Sequence, residues 1–120
     1  MTNLESAKKI YEMLGQGQLL EAFDQFYADN VVMTEPRGTR EGKADCRSYE
    51  EQFLQSVGQF HGLEVRGVGA DDEKGKTFVE VLMDVEFKDG NRAKMEQVAV
   101  QTWKDGKIVH ERFYYDNSGG

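Results

Sequence analysis

Apolar residues recur at two different periods along this chain, and the change of period divides it into a helical part and a strand part. Between Thr2 and Leu14, the residues Ala7, Ile10, Tyr11 and Leu14 fall three or four apart, with Lys8, Lys9 and Glu12 between them. That spacing predicts an amphipathic helix. Thr2 with Glu5 three residues later reads as a capping box at its start, and Gly15, Gln16 and Gly17 break it. A shorter helix is expected from Gln18 to Tyr27 on the wide apolar face of Leu19, Leu20, Ala22, Phe23 and Phe26. Residues 1–27 therefore read as a helix pair joined by a short glycine turn. Ala28, Asp29 and Asn30 supply turn chemistry. Residues 31–35 read as a short strand, which stops at Pro36, and Arg37 to Gly42 as a polar loop. A third helix is expected at 43–57: Cys46, Tyr49, Phe53 and Val57 lie three or four apart with Leu54 beside them, and Asp45 sits near the positive helix end. Gly58 to Gly62 ends it, with His61 expected in a surface loop.

From Leu63 onward the period becomes two. Leu63, Val65 and Val68 mark one strand, and Asp71 to Gly75 a charged turn. In Thr77 to Lys88, Val79, Val81, Met83, Val85 and Phe87 alternate with Glu80, Asp84 and Glu86, the signature of a half-buried antiparallel strand. Asp89-Gly90 and Asp105-Gly106 are hairpin signals. They separate a return strand, Arg92 to Trp103, from a last strand, Lys107 to Asp116. Residues 63–116 form a four-stranded meander in this reading, and 117–120 a frayed tail. Helices first and strands after make an α+β pattern in which helices cover one face of a curved antiparallel sheet.

Composition narrows the function classes. A chain of 120 residues fits one domain. The net charge of -7 disfavours nucleic-acid binding, which needs clustered Lys and Arg. No apolar run approaches the roughly 18 residues that cross a membrane, and Met1 to Lys9 lacks the apolar core of a signal peptide. Cys46 is the one cysteine, so no internal disulfide forms and a reducing, cytoplasmic setting is expected. Cys46 itself reads as a small buried hydrophobe. With two histidines, His61 and His110, and no second cysteine, neither a metal site nor another cofactor is expected.

The first candidate for chemistry is Glu35. It precedes Pro36, the sole proline, which pushes its backbone toward an extended conformation. An acid at a strand end beside apolar residues can have its pKa raised by burial and become a usable base; a solvated strand-end charge is the plainer reading. In the last strand Ile108, His110, Arg112, Tyr114 and Asp116 share one face. Histidine moves protons near neutral pH, arginine holds an enolate or carboxylate, and tyrosine donates to a developing oxyanion. The same row also fits a polar ladder or a dimer face, and a bulge that reversed the parity would send Glu111 inward instead. Trp103 reads as bulk over the pocket mouth or core. Gln97 and Gln101 share its face and suit a ligand carbonyl. Met33, Met83 and Met95 fit either core or an adaptable wall, and Phe53 lies on the apolar face of the third helix.

Several motifs then coincide: a G-x-G-x-L turn at Gly15, Gly17 and Leu19, F-Y-A-D-N-V, E-P-x-G at Glu35 to Gly38, and D-G-K-I-V-x-E-R-x-Y-Y-D at Asp105 to Asp116. Together they resemble the SnoaL-like branch of the nuclear-transport-factor-2-like superfamily, over essentially the whole chain. The resemblance implies a cone-shaped, cystatin-like or ketosteroid isomerase-like fold, an apolar pocket for a small hydrophobic ligand, and a homodimer. It places Glu35 where ketosteroid isomerases keep a general-base carboxylate and Asp116 where SnoaL-type cyclases keep an acid. The sequence departs from the isomerase pattern elsewhere. The oxyanion-hole tyrosine of that family falls at about Ile10, with Tyr11 one residue off, and its second acidic donor falls near Ala99 to Gln101. The expected activity is proton transfer on a small hydrophobic carbonyl compound, isomerase-, cyclase- or dehydratase-like, with Glu35, Asp116 and His110 as catalytic residues. Met33, Phe53, Gln101, Trp103, Arg112 and Tyr114 then bind the substrate. The rival expectation is a non-catalytic dimeric binding domain of the same fold.

Overall fold

A computed structural model of the protein describes residues 1–116; the expected frayed tail at 117–120 lies outside the described residues. The first helix, α1, spans Asn3–Gly15. Its capping box forms as expected: Thr2 Oγ1 accepts from the Glu5 amide at 3.0 Å, and Glu5 Oε1 accepts from the Thr2 amide at 2.9 Å. These two bonds satisfy donors that the first helical turn leaves free. Helix α2 spans Leu19–Phe26 and passes directly into strand β1, Tyr27–Glu35. Cations close its C-terminal end. Lys43 donates to the Asp24 carbonyl at 3.1 Å, Lys107 to the Gln25 carbonyl, and Arg47 forks onto the Asp24 carboxylate at 2.8 and 3.0 Å.

Strand β1 is longer than expected because it takes in the turn-forming Ala28, Asp29 and Asn30. Its pairing with the last strand shifts register between Tyr27 and Val32, which absorbs those residues. The expected polar loop after Pro36 is also a strand, β2, Gly38–Glu41. It pairs with β1 from Glu35↔Gly38 to Val32↔Glu41. The segment GTRE has no apolar residue to announce it, and its pairing is a backbone matter. Gly42 (φ 88°) turns the chain into helix α3, Lys43–Ser56; a left-handed φ of this kind favours glycine.

Strand β3, Val57–Asp71, starts at Val57 and so includes the expected loop around His61. Three register shifts against the next strand break its alternation and hide it from a period-two reading. His61 is exposed, as expected, and sits 3.1 Å from Glu86. Strands β4 (Lys76–Phe87), β5 (Arg92–Lys104) and β6 (Lys107–Tyr114) complete the expected meander. The sheet order is β2-β1-β6-β5-β4-β3. All neighbours are antiparallel except β1 and β6, which run parallel.

Three helices thus pack on a curved, unclosed six-stranded sheet. Ala7 and Ile10 of α1, Phe23 of α2 and Cys46 of α3 meet Val79, Val81, Ala99 and Ile108 of the sheet in one buried core. Cys46 is fully buried, as its place on the apolar stripe of α3 suggests. No helix among the described residues is long and apolar enough to cross a membrane.

Candidate active site

Between the helices and the concave face of the sheet lies a cavity of about 640 Å³. Its walls are apolar: Ile10, Leu14, Phe23, Phe53, Met83 and Phe113 line it. Against that background its acids stand out.

Glu111 of β6 is 1% exposed and forms the floor. Tyr27, at the junction of α2 and β1, donates its hydroxyl to Glu111 Oε1 at 2.5 Å. Gln101 of β5 donates from Nε2 to Oε2 at 2.9 Å. Behind Gln101, the Thr77 hydroxyl of β4 donates to Gln101 Oε1 at 2.6 Å, and Trp103 Nε1 donates to Thr77 Oγ1 at 2.8 Å. Burial pushes the Glu111 carboxyl up to about 7, with the Tyr27 and Gln101 hydrogen bonds pulling the other way. Glu50 of α3 also faces the cavity and is likewise pushed up to about 7, by burial first and then by the charge of Glu111. Tyr11 of α1 and Tyr27 are held well above the ordinary phenol value by burial and then by Glu111. Both phenols therefore keep their protons and remain donors.

At the mouth, Glu35 gathers three donors. Arg40 Nη2 lies 3.0 Å from Oε2, and the hydroxyls of Tyr115 and Tyr49 lie 3.1 and 3.4 Å from Oε1. The Arg40 guanidinium sits 3.5 Å from the centre of the Tyr49 ring, a cation–π contact. Its Nε is buried with no hydrogen-bond partner among the described residues. Arg37, Lys94 and Asp116 also line the cavity and are exposed at its rim.

The structure distributes the expected site residues over three places. Glu35, Asp116 and Phe53 line the cavity. Met33, Gln101 and Trp103 are buried and do not line it; Gln101 reaches it through Glu111 and Tyr11, to both of which its side chain hydrogen-bonds. His110, Arg112 and Tyr114 do not share a face with the cavity. The register of β5 on β6 shifts between Thr102↔His110 and Trp103↔Ile108, leaving Val109 as a bulged residue. Ile108 and Glu111 are therefore both buried although three residues apart, and the parity beyond the bulge is reversed. On the outer face His110 Nε2 lies 3.1 Å from Thr34 Oγ1, and its pKa is lowered by burial and by Arg112. Arg112 lies 5.0 Å from the Tyr114 ring centre.

Glu50 carried a usable signal in the sequence. It lies four residues after Cys46 and three before Phe53, an acid on an apolar stripe. By period two Glu111 shares a strand face with Val109 and Phe113, an acid in an apolar row, and in the structure Glu111 and Phe113 do line the cavity together. Among the described residues no group of His, Cys, Asp and Glu is arranged to hold a metal ion.

A curved, helix-covered sheet with a buried acid on the floor of a cavity defines the class: an α+β protein of three helices on a six-stranded sheet. Residues 1–115 match the SnoaL-like domain, and the chain belongs to that family. A candidate SnoaL-like polyketide cyclase from Mesorhizobium loti is 32% identical, over 96% of this chain and 100% of that one, with a TM-score of 0.82. A candidate polyketide cyclase from Pseudomonas putida superposes with a TM-score of 0.83 at 17% identity, over 98% and 93% of the two chains. A candidate isomerase from Bacillus subtilis gives 0.81 at 17% identity, over 97% and 90%. No curated protein matches this chain.

Proposed function

We propose that the protein is a SnoaL-type enzyme that moves a proton on a small, mostly apolar carbonyl compound, in the manner of an isomerase or cyclase. The observation that carries this reading is the presence of two carboxyls, Glu50 and Glu111, both pushed up to about 7 in one aromatic-walled cavity. A base and an acid poised near neutrality are what enolisation requires. One carboxylate takes the proton from the carbon beside the carbonyl, and the C–H electron pair moves into the enolate. A phenol hydroxyl and the neutral carboxyl donate toward the enolate oxygen. Return of the same proton to another carbon gives isomerisation; attack of the enolate carbon on a second carbonyl of the substrate gives ring closure. Glu35, with its E-P-x-G setting, and Asp116 remain alternative bases on the same cavity.

A second reading, ligand holding without turnover, is favoured by the mouth, where Glu35 accepts from Arg40, Tyr49 and Tyr115. Deuterium exchange at the α-carbons of 2-tetralone, followed by NMR in D2O, separates the two. The enzyme reading expects exchange well above buffer, lowered about 10²-fold or more by Glu50→Gln or Glu111→Gln. Loss in Glu35→Gln or Asp116→Asn alone moves the base to the mouth. Exchange no faster than in buffer leaves the binding reading.

A further inference from the structure

We propose that Trp103, Thr77 and Gln101 form a one-way hydrogen-bond relay that fixes Glu111 as the ionised member of the Glu50–Glu111 pair and leaves the proton on Glu50. The direction follows from the chemistry of its first member. An indole N–H only donates, so the Thr77 oxygen, 2.8 Å away, accepts. The single Thr77 hydrogen then goes to Gln101 Oε1 at 2.6 Å. That turns the Gln101 amide hydrogens toward Glu111 Oε2 at 2.9 Å. Tyr27 delivers a fourth hydrogen to Oε1. Both carboxyl oxygens of Glu111 thus meet donors, which is the environment of a carboxylate.

A neutral Glu111 breaks this arrangement wherever its proton sits. On Oε2 the proton faces the amide hydrogens of Gln101, and turning Gln101 over leaves the Thr77 hydrogen against an amide nitrogen. On Oε1 the proton displaces the Tyr27 hydrogen, which then needs a new acceptor. A buried polar group left unsatisfied is unfavourable enough to decide between such forms. Among the described residues Glu50 has no comparable set of donors. It meets Glu111 across the cavity, with Arg40 favouring its charge and Glu35 opposing it. The groups facing Glu111 are Tyr11 from α1, Tyr27 from β1, Glu50 from α3 and Gln101 from β5. Two carboxylates in one apolar-walled cavity resist ionising together, and the relay settles which yields.

The roles in the proposed reaction follow, and that consequence rests on the enzyme reading: Glu111 removes the substrate proton and Glu50 supplies one to oxygen. Thr77, Gln101 and Trp103 touch no substrate and are positioning residues.

The test is a pH titration of the Glu50 and Glu111 side-chain carboxyls in protein labelled with carbon-13 glutamate, assigned with Glu50→Gln and Glu111→Gln. In the wild type, Glu111 ionises at lower pH than Glu50. Thr77→Val, which keeps the shape and breaks the relay, raises the Glu111 step by about one pH unit, roughly tenfold in proton affinity. If Thr77→Val does not fold, Gln101→Leu is titrated instead, with the same expectation. The proposal is overturned if Glu50 ionises first in the wild type, or if a folded relay variant leaves both steps in place. The titration needs no substrate. The expected order together with no exchange on 2-tetralone therefore removes only the enzyme reading.

Discussion

Arg40 holds Glu35 across the turn of one hairpin: its Nη2 lies 3.0 Å from Glu35 Oε2, with side chains 19% and 9% exposed. The pair is shielded from water, and the Tyr49 ring covers the guanidinium. Removing the acid therefore strands a half-buried cation. Glu35→Ala is expected to cost about 3 kcal/mol in urea unfolding. Glu35→Ala combined with Arg40→Met should recover part of the loss. A single-variant cost below about 0.5 kcal/mol would mark the pair as an ordinary surface contact.

Glu50 and Glu111 also set a pH dependence of stability. Their folded pKa values, about 7, lie above the unfolded carboxyl value of about 4.3. Between those values the folded chain binds more protons than the unfolded one, so stability falls as pH rises through that window and levels off above about 7. For one such group the loss is on the order of 3 kcal/mol. Denaturation midpoints at pH 5 and pH 8 should differ in this sense in the wild type, and less in Glu50→Gln and Glu111→Gln. His110, whose folded pKa is lowered, acts with the opposite sign below about 6.5. Comparing each Gln variant with the wild type cancels it.

Tyr27→Phe removes one donor to Glu111 and keeps the ring that stacks on Phe23 at 4.5 Å. The hydroxyl favours the carboxylate, so its loss should raise the Glu111 pKa. The stability cost should be about 1 to 2 kcal/mol at pH 8 and smaller at pH 5, where Glu111 is already protonated. Equal costs at both values would mean that the hydroxyl serves packing alone.

Gly75 carries a different kind of constraint. Its φ is 65°, a Cβ there would stand 3.3 Å from the Trp103 carbonyl oxygen, and its own carbonyl accepts from the Trp103 amide at 2.8 Å. Gly75→Ala combines left-handed strain with crowding and should cost about 1 to 2 kcal/mol. Because the contact is to Trp103, near-ultraviolet circular dichroism should report the disturbance. An unchanged tryptophan signal would show that the turn yields without moving β5.

The hydrophobic periods identify α1, α2, α3, β4, β5 and β6 within a few residues, because each buries one regular face. They miss β2, whose residues are all polar or glycine, and the first half of β3, where register shifts and glycines scramble alternation. The E-P-x-G segment places Glu35 and the family likeness places Asp116, and both line the cavity. The parity of β6 was not legible from alternation alone, because one bulged residue reverses it and exchanges His110 for Glu111. Glu50 shows the limit from another side. Its position on an apolar stripe is visible in the sequence, but its partner is set by tertiary packing.

The parallel pairing of β1 with β6 joins the first strand of the sheet to the last. Tyr27 and Glu111 meet across 84 positions of chain, and β6 stands between β1 and β5. Helices and the β3–β4–β5 hairpins can form from local contacts, but the two halves of the cavity floor come together only when β6 docks between them. Closing so long a loop is entropically slow. Completion of the cavity floor should therefore be the final event of folding, arriving with the closing strand rather than growing gradually with helix content.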